Sequence, residues 1–450
     1  MSASIFKAYD IRGLVDEEIT PDFTFAVGAA FACFLKIQRE PATVVIGEDM
    51  RPSSPALAEA FSAGVTSQGL DVIRIGLAST DLLYFAAGKL NLPGAMFTAS
   101  HNPAAYNGIK LCFSGARPIG KESGLLAIEK FVEEGVPLST HQFGLESSRE
   151  MLDEYVTHLL SLVELNGIRP LKVVIDAGNG MAGHTAPAVF KRLNAEVIEM
   201  FFELDGSFPN HEANPIDPEN LKDLQRAVLE HRADIGLAFD GDADRCFLVD
   251  ERGELVNPSS LTSLIASREL AKFPGSTIIY NLISSKAVQE VVAEHGGKSV
   301  RSRVGHSYIK KLMAETDAVF GGEHSGHFYF REFWKADSGM LAALHAIAAL
   351  GEADVPLSTL LAPYNRYISS GEVNSTVTDA LAAVAKIEGI YSSMEGVSAD
   401  RLDGLTLTAE SWWFNLRASN TEPLLRLNVE ADSQAKMEEI RDSVLAIIRA

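Results

Sequence analysis

The chain has 450 residues, of which 46% are apolar, and its formal charge is −21. At about 100–200 residues per domain, this length predicts three or four domains, and the apolar fraction excludes wholesale disorder. The acidic balance argues against a nucleic-acid or membrane binder, because repulsion would oppose either partner. It still permits an anionic substrate in a locally basic cleft.

Cysteine usage indicates a reducing compartment. Cys33, Cys112 and Cys246 lie far apart in the sequence, so they offer neither a disulfide framework nor the paired spacing of a zinc site. The first ten residues contain no apolar signal core. Residues 340–350 are apolar but too few to span a bilayer, so they predict a buried helix. We therefore expect a cytoplasmic protein.

Three blocks of the chain open on a short apolar run that is followed by a turn and a helical pattern. Such a run predicts a buried strand of an α/β layer. The runs begin at Thr43, Lys172 and Thr277. The helices that follow are expected near residues 55–64, 184–193 and 286–294. Each block then has a second strand that enters a polar loop, at residues 95–99, 235–239 and 318–320. We interpret this recurrence as one supersecondary plan used three times.

The fourth block differs from the others and predicts an α+β module. Its expected elements are a strand at 372–377, a helix at 380–389, a hairpin at 405–416 and a closing helix at 433–449. Turn-rich stretches separate the blocks. The expected domains are residues 1–146, 147–252, 253–366 and 367–450.

The loop after the 95–99 strand holds a candidate nucleophile. Ser100 stands beside His101 and upstream of Lys110. A serine at a strand end can be a covalent nucleophile or a phosphate carrier. On this loop alone, an ordinary turn stabilised by Ser and Asn side chains is the simpler interpretation.

The loop after the 235–239 strand places Asp240, Asp242 and Asp244 at alternate positions. In a compact loop their carboxylates can converge on one hard cation such as Mg²⁺. A calcium EF-hand is excluded, because Arg245 stands where that loop requires glycine and a strand follows. A solvated acidic turn is the alternative. Arg245 could hold a phosphoryl oxygen.

Two further loops carry polar groups. Glu323-His324-Ser325-Gly326-His327 offers groups that suit sugar hydroxyls, and its glycine opposes a helical zinc motif. Arg417 begins a loop whose hydroxyl, amide and backbone N–H groups could complete an oxyanion cradle. Each loop could also be an ordinary turn. Together, however, the four loops describe a phosphoryl-transfer apparatus.

The order of these motifs along the chain resembles the α-D-phosphohexomutases, most closely their bacterial phosphomannomutase/phosphoglucomutase branch. The matching segments are residues 6–13, 98–103, 106–110, 240–245, 304–307, 322–327 and 417–423. The resemblance implies three topologically similar α/β mixed-sheet domains. A C-terminal TATA-binding-protein-like α+β domain would complete them around a central cleft.

The resemblance also implies roles for individual residues. Ser100 would be the phosphoserine and would bind Mg²⁺ with Asp240, Asp242 and Asp244. The transferring group would be surrounded by Arg12, His101, Lys110, Arg245 and His327. The sugar phosphate would be bound by Tyr9, Arg245, Lys286, His306, Glu323, Ser325, His327, Arg417, Ser419, Asn420, Thr421 and Arg426.

The implied activity is reversible conversion of mannose 6-phosphate to mannose 1-phosphate, together with the glucose pair. It would run through phosphoserine and a hexose 1,6-bisphosphate, with one Mg²⁺ per chain. The implied partners are sugar phosphates, and the implied assembly is a monomer or weak homodimer. A phosphoglucosamine mutase is an alternative, although those enzymes generally carry Gln in place of His324. A phosphatase that hydrolyses its phosphoserine, or a non-catalytic sugar-phosphate sensor, would also fit these residues.

Overall fold

A computed structural model describes residues 5–137, 142–418 and 424–449. Three predicted phosphate-loop residues, Ser419, Asn420 and Thr421, lie outside the described residues. The chain forms two compact units. The first comprises Met1–Val256 and Ser325–Leu360, and the second comprises Asn257–His324 and Leu361–Ala450.

The strands of the described chain are short and mostly buried. They are β1 Ile11–Leu14, β2 Thr43–Glu48, β3 Asp71–Leu77, β4 Gly94–Phe97, β5 Tyr106–Phe113, β6 Arg117–Pro118, β7 Glu146–Ser148, β8 Leu171–Asp176, β9 Ala195–Met200, β10 Ile235–Phe239, β11 Cys246–Asp250, β12 Thr277–Asn281, β13 Lys298–Ser302, β14 Phe320–Gly322, β15 Phe328–Phe330, β16 Ala336–Asp337, β17 Ile368–Thr376, β18 Ser398–Asp400, β19 Leu405–Thr408, β20 Trp412–Ala418 and β21 Leu424–Ala431.

The helices alternate with these strands along most of the chain. They are α1 Pro21–Gln38, α2 Ser54–Ser67, α3 Thr80–Leu90, α4 Leu126–Glu134, α5 Leu152–Leu162, α6 Ala182–Phe190, α7 Lys222–His231, α8 Pro258–Lys272, α9 Lys286–Glu294, α10 His306–Thr316, α11 Gly339–Glu352, α12 Leu357–Leu361, α13 Ala380–Tyr391 and α14 Gln434–Ile448.

The first sheet of the first unit has the order β1-β5-β4-β2-β3-β7. The strand β2 runs parallel to β3 and β4, whereas β5 runs antiparallel to β1 and β4. The helices α1 and α2 cover one face, where Phe31, Phe61 and Phe97 are fully buried. This mixed sheet fixes β4, which ends three residues before Ser100.

The second sheet of the first unit has the order β11-β10-β8-β9. The strands β8 and β10 are parallel, with Asp176 opposite Ala238, and β11 returns antiparallel to β10. Parallel strands bring their carboxyl ends to the same edge of a sheet. The loop after β8 therefore lies beside the acidic loop, and the N–H of Met181 donates to the carbonyl of Gly241 at 2.9 Å.

In the second unit, β12 lies between β13 and β14 and runs parallel to both. The strand β12 leads into α9, where the Ser285 hydroxyl caps the helix by accepting the N–H of Ala287. The antiparallel strands β15 and β16 belong to the first unit. They precede α11, and its buried residues confirm the helix predicted at 340–350.

The C-terminal sheet of the second unit is antiparallel throughout, with the order β17-β21-β20-β19-β18. Its core contains Tyr391, Trp412 and Phe414 together with apolar residues of α14. The predicted fold class, three α/β blocks followed by an α+β domain, is confirmed. In the described part of the chain, no single helix is both long and apolar enough to cross a membrane.

Candidate active site

Ser100 lies three residues beyond the end of β4 in a buried turn. Its backbone φ is +50°, in the left-handed region that serine seldom adopts. Its N–H donates to the Thr98 hydroxyl at 2.9 Å. Its own hydroxyl donates to Oδ2 of Asp240 at 2.8 Å, and Nδ1 of His101 lies 3.1 Å from the same Oγ. The predicted nucleophile therefore lies against the predicted metal loop.

The acidic loop connects β10 to β11 and is almost wholly buried. Asp240, Asp242 and Asp244 are exposed by no more than 1%. Their carboxylate oxygens lie within 4.8 Å of one another. Burial raises the pKa of Asp240 to about 6, against the opposing charge of Arg245 and with the support of the neighbouring carboxylates. Crowded buried carboxylates of this kind favour a nearby cation.

A glycine permits the close approach of the two loops. A Cβ atom on Gly241 would lie only 2.4 Å from the carbonyl oxygen of Ser100. Any side chain at this position would push the serine loop away from the acidic loop. The glycine within the Asp-Gly-Asp sequence is therefore needed for the contact between Ser100 and Asp240.

Two cations balance part of the buried negative charge. Lys110, on β5, places Nζ 2.7 Å from Oδ2 of Asp242 and 2.6 Å from Oδ2 of Asp244. Arg245 places Nε 2.8 Å from Oδ2 of Asp240. Burial opposes the charge on Lys110, but the two carboxylates hold its pKa well above the usual value. Against the same burial, carboxylates of the loop likewise raise the pKa of Arg245, so both cations are charged beside the acidic loop.

The two histidines of the site have opposite charge preferences. Burial, together with the nearby cations Arg245 and Arg12, lowers the pKa of His101 to about 2, so its ring is neutral. Burial also disfavours the charged form of His327, yet Asp244 and Asp337 raise its pKa above the usual value. The Nε2 atom of His327 lies 3.4 Å from Oδ1 of Asp244.

Three further predicted residues belong to this unit. Arg12, on β1, donates one hydrogen bond to the side-chain oxygen of Asn102 and forms an ion pair with Asp10. Ser325 places its hydroxyl 3.1 Å from Nδ1 of His327. Tyr9 is half-buried just before β1.

The carboxylate oxygens of the acidic loop suit a divalent cation. Among the described residues, no group donates a hydrogen bond to the buried Oδ1 of Asp242. A buried carboxylate oxygen without a donor is costly unless a cation or a water satisfies it. Carboxylate oxygens are also the ligands that Mg²⁺ prefers. Asp240, Asp242 and Asp244 therefore fit a Mg²⁺ site, with Ser100 beside it.

Three residues of this site were missed in the sequence. The Thr80 hydroxyl, in the first turn of α3, donates to Oδ2 of Asp242 at 2.5 Å, and its N–H donates to the carbonyl of Asp242 at 3.0 Å. Asp337, at the end of β16, lies 4.0 Å from Nε2 of His327. Arg51 donates to the carbonyl of Ser100 at 2.9 Å. The charged pair Asp49 and Arg51 after an apolar run was the available signal for the last of these.

The second unit contains the other predicted binding residues. Glu323 directly follows β14 and is buried. Its side chain accepts hydrogen bonds from the Asn281 amide at 3.4 Å and from the N–H of Gly305 at 3.2 Å. The Asn281 amide also lies 2.7 Å from Nδ1 of His324. The structure thus supports the Glu323 side chain from β12 and from the loop that precedes α10. His306 is the first residue of α10.

Lys286 begins α9 in the same unit. Its N–H donates to Oε1 of Glu430 at 2.9 Å, and Trp413 donates to the same oxygen at 2.7 Å. Its Nζ atom is 3.8 Å from Glu290 and 5.5 Å from the ring centre of Tyr367. The side chain is 41% exposed, so the ammonium is accessible to an anion.

Arg417 and Arg426 stand opposite each other on β20 and β21. Both guanidinium groups approach Glu372, at 3.6 Å in each case, and Arg417 also lies 3.5 Å from Asp403. Ion pairs at these distances are loose, so an anionic ligand can compete for the arginines. Ser419, Asn420 and Thr421 lie between these two arginines in the sequence, outside the described residues.

A histidine–aspartate pair connects the end of β8 to the 201–217 segment. His211 places Nε2 3.0 Å from Oδ2 of Asp176 and Nδ1 2.8 Å from the carbonyl of Glu212. Two acceptors require both ring nitrogens to carry protons, which is the charged imidazolium. Burial alone would lower the pKa of His211, but the hydrogen bond and charge of Asp176 raise it.

This pair predicts a pH-dependent contribution to stability. A raised pKa in the folded state gives stability that is present below the usual histidine value and is lost as pH rises through the folded-state value. We expect the wild-type Tm to exceed that of His211→Gln most at about pH 6, with the difference shrinking toward about pH 9. Paired thermal melts measure this. A difference that grows with pH would contradict the assignment.

Family models match all four blocks of the chain. Descriptions of the phosphoglucomutase/phosphomannomutase alpha/beta/alpha domains I, II and III match residues 3–137, 153–253 and 257–367. The description of the C-terminal domain of the same family matches residues 372–447.

Individual proteins resemble the chain along its whole length. A protein from Salmonella typhimurium named phosphomannomutase is 40% identical to this chain, and the match covers 98% of this chain and 97% of that protein. A protein from Neisseria meningitidis named phosphoglucomutase is 37% identical, and the match covers 100% of this chain and 98% of that protein. The crystal structure of a phosphoglucomutase/phosphomannomutase family protein from Burkholderia thailandensis matches with a TM-score of 0.91 at 32% identity. This match covers 100% of the present chain and 98% of that protein. The chain belongs to the phosphoglucomutase/phosphomannomutase family, within the α-D-phosphohexomutases.

Proposed function

We propose that the chain is a phosphomannomutase that also acts on the glucose pair. It interconverts hexose 6-phosphate and hexose 1-phosphate through phosphoserine and a hexose 1,6-bisphosphate. The observation that carries the proposal is the 2.8 Å hydrogen bond between Oγ of Ser100 and Asp240, within a buried carboxylate cluster. Family membership supports it.

The proposed metal is one Mg²⁺ per chain, held by Asp240, Asp242, Asp244 and an oxygen on Ser100. When bound, Mg²⁺ would neutralise phosphoryl charge and polarise the P–O bond. Arg245 supports the binding of a phosphoryl group beside this metal site. Its buried Nη2 has no hydrogen-bond partner among the described residues, so it retains a donor for an anionic oxygen.

The proposed step exchanges one P–O bond for another. The bond between phosphorus and Oγ of Ser100 breaks as a bond to the free hydroxyl of the hexose monophosphate forms, giving the bisphosphate. The substrate hydroxyl loses its proton and the serine oxygen gains one, so the numbers of charges and protons are unchanged by the step. Arg12, Lys110 and Arg245 hold charge on the phosphoryl oxygens, with His101 and His327 at the edge of the group.

The second half of the reaction returns the other phosphate to Ser100. The bisphosphate must present its two ends in turn to one serine, so recognition should rely on hydroxyls that occupy equivalent positions in both orientations. Glu323 and Ser325, with Tyr9, Lys286 and His306, are the proposed sugar-binding residues. This requirement favours tolerance at C2, where mannose and glucose differ.

The non-reacting phosphate is proposed to bind at Arg417, Ser419, Asn420 and Thr421, with Arg426 as a further binding residue. Arginine suits this role because its planar guanidinium can donate two parallel hydrogen bonds to one phosphate. The loose pairs with Glu372 and Asp403 leave Arg417 available for such a ligand.

Replacing Arg417 tests the phosphate assignment. Loss of charge-assisted hydrogen bonds worth roughly 1.5–3 kcal/mol should raise the KM for mannose 1-phosphate by about 10–100-fold in Arg417→Met. Steady-state kinetics measure this. Arg401→Met is the matched control, because Arg401 is exposed and pairs with Glu388 in the same domain. An unchanged KM in Arg417→Met would contradict the role.

A side-by-side assay tests the activity itself. The purified chain receives mannose 1-phosphate, glucose 1-phosphate or glucosamine 1-phosphate, with Mg²⁺ and a trace of glucose 1,6-bisphosphate. We expect turnover of the mannose and glucose substrates without matching release of inorganic phosphate. Turnover of glucosamine 1-phosphate alone would contradict the sugar assignment, and phosphate release at the rate of isomerisation would indicate a phosphatase.

The domain boundaries, the cellular location and the assembly are also proposals. We propose domain boundaries at residues 1–146, 147–252, 253–366 and 367–450, a cytoplasmic location and a monomer or weak homodimer. The free thiols of Cys33, Cys112 and Cys246 suit a reducing compartment.

A further inference from the structure

The backbone of Ser100 needs external support to keep its conformation. A left-handed φ at a residue other than glycine costs about 1–2 kcal/mol and persists only where surrounding contacts fix it. The N–H of Ser100 is held by Thr98, and Asn102 donates its own N–H to the carbonyl of Ala99 at 3.0 Å. A third local bond runs from the N–H of Tyr106 to the carbonyl of Pro103 at 3.0 Å. Among the described backbone hydrogen bonds of the loop, none satisfies the carbonyls of Ser100 and Asn102.

One buried guanidinium group donates to those two carbonyls and to two more nearby. Arg51 donates from Nη2 to the carbonyls of Ser100 at 2.9 Å and Asn102 at 2.7 Å. It donates from Nη1 to the carbonyls of Pro103 and Tyr106, at 2.9 Å each. The Arg51 side chain is 0% exposed. The serine loop is therefore wrapped around this guanidinium.

Other residues hold Arg51 itself in place. Its Nε lies 3.3 Å from Oδ2 of Asp49. The other carboxylate oxygen of Asp49 accepts the N–H of Arg51 at 3.0 Å and the Ser54 hydroxyl at 2.6 Å. The ring of Phe208 covers the guanidinium at 5.1 Å, and a Cβ on Gly206 would lie 2.6 Å from Cα of Arg51. The arginine is thus enclosed by β2, α2 and the 201–217 segment.

We propose that Arg51 is a positioning residue that sets the geometry of Ser100 for phosphoryl transfer. This inference rests on the proposed function. Arg51 acts through the backbone of the serine loop, and it does not contact the carboxylate oxygens of the acidic loop in the described hydrogen bonds. Lysine in its place retains the positive charge near Asp49 but cannot donate to four carbonyls in the planar geometry of a guanidinium.

The test compares phosphoryl transfer with metal binding in Arg51→Lys. Dephosphorylated protein is mixed with glucose 1,6-bisphosphate, and phosphorylation of Ser100 is followed by rapid quench and intact-protein mass spectrometry. We expect transfer to slow by about 10²-fold, the effect of a displacement of about 1 Å at a reacting atom. The Mg²⁺ dissociation constant, measured by calorimetry, should stay within about threefold of wild type.

Controls separate positioning from general destabilisation. Arg74→Lys changes an arginine that pairs with Glu48 in the same sheet, and it should transfer at the wild-type rate. Asp49→Asn is a milder change that should slow transfer in the same direction and preserve Mg²⁺ affinity. It decides the matter if Arg51→Lys does not fold.

The outcomes are distinct. Wild-type transfer rates in folded Arg51→Lys or, where that variant fails to fold, in folded Asp49→Asn would overturn the inference. Parallel loss of transfer and Mg²⁺ binding in the folded variant would also overturn it, because that result indicates a general structural role. Absence of phosphorylation in the wild-type protein would instead overturn the proposed function.

Discussion

Replacing Ser100 with alanine should lower the rate of mannose 1-phosphate isomerisation by at least about 10³-fold, because the variant has no oxygen to carry the phosphoryl group. Substrate binding should persist, since the cationic groups remain. A coupled assay measures the rate, and calorimetry with mannose 1-phosphate measures binding. The folded state should be retained, because alanine removes a single hydroxyl from the turn.

The matched control is Ser67→Ala, in which a serine at the end of α2 loses a hydrogen bond to the carbonyl of Gly64. It should retain wild-type turnover. Turnover of Ser100→Ala at more than about a tenth of the wild-type rate would contradict a phosphoserine mechanism. A sugar-phosphate sensor would give a different pattern. The wild-type protein and both variants would bind the ligand equally, and none of the three would isomerise it.

Replacing Asp242 with asparagine should produce the second large effect. This change removes one of three clustered carboxylate charges and alters the partner of Thr80 and Lys110. We expect the Mg²⁺ dissociation constant to rise by at least about 10²-fold, the upper end of losses seen for residues that only support a metal ligand. Turnover at low Mg²⁺ should fall, and excess Mg²⁺ should restore part of it.

Asp223→Asn is the control for this change. Asp223 lies on α7, is partly exposed and pairs with Arg226. Its replacement also removes one negative charge, so it corrects for the overall electrostatic effect. Equal Mg²⁺ affinity in Asp242→Asn and wild type, measured by calorimetry on the dephosphorylated protein, would contradict the metal assignment.

Much of the fold could be predicted because its buried strands are short continuous apolar runs. The strand expected at 235–239 is β10, and the helix expected at 286–294 is α9. The strand expected at 318–320 instead covers Phe320–Gly322. Two glycines at its end obscured it, since glycine is depleted in strands.

Helix α1 was not predicted for a related reason. Residues Val27–Ala32 within it are buried without interruption, so the helix lacks the apolar stripe of a surface helix. A helix that is apolar on most of its surface gives no clear period and resembles a buried strand. The structure identifies it through Thr20, whose hydroxyl caps its first turn by accepting the N–H of Phe23 at 3.2 Å.

The candidate site was predictable in its loops but not in its supports. Ser100 and the three aspartates follow predicted strands, and parallel strand ends are where α/β folds place ligands. Arg51 and Thr80 reach the site from other parts of the chain. Their functions depend on the backbone carbonyls and carboxylates that they contact in the folded chain. These contacts join residues far apart in the sequence, so no local sequence pattern predicts them.

The most direct test of the central claim follows the phosphoryl group itself. Dephosphorylated protein is incubated with glucose 1,6-bisphosphate and Mg²⁺, and the modified residue is identified by peptide mass spectrometry. The labelled protein then receives mannose 1-phosphate. We predict one phosphoryl group per chain, on Ser100, that leaves the protein as a mannose bisphosphate appears. Isomerisation by a chain that is never phosphorylated, or phosphorylation at another residue, would contradict the account.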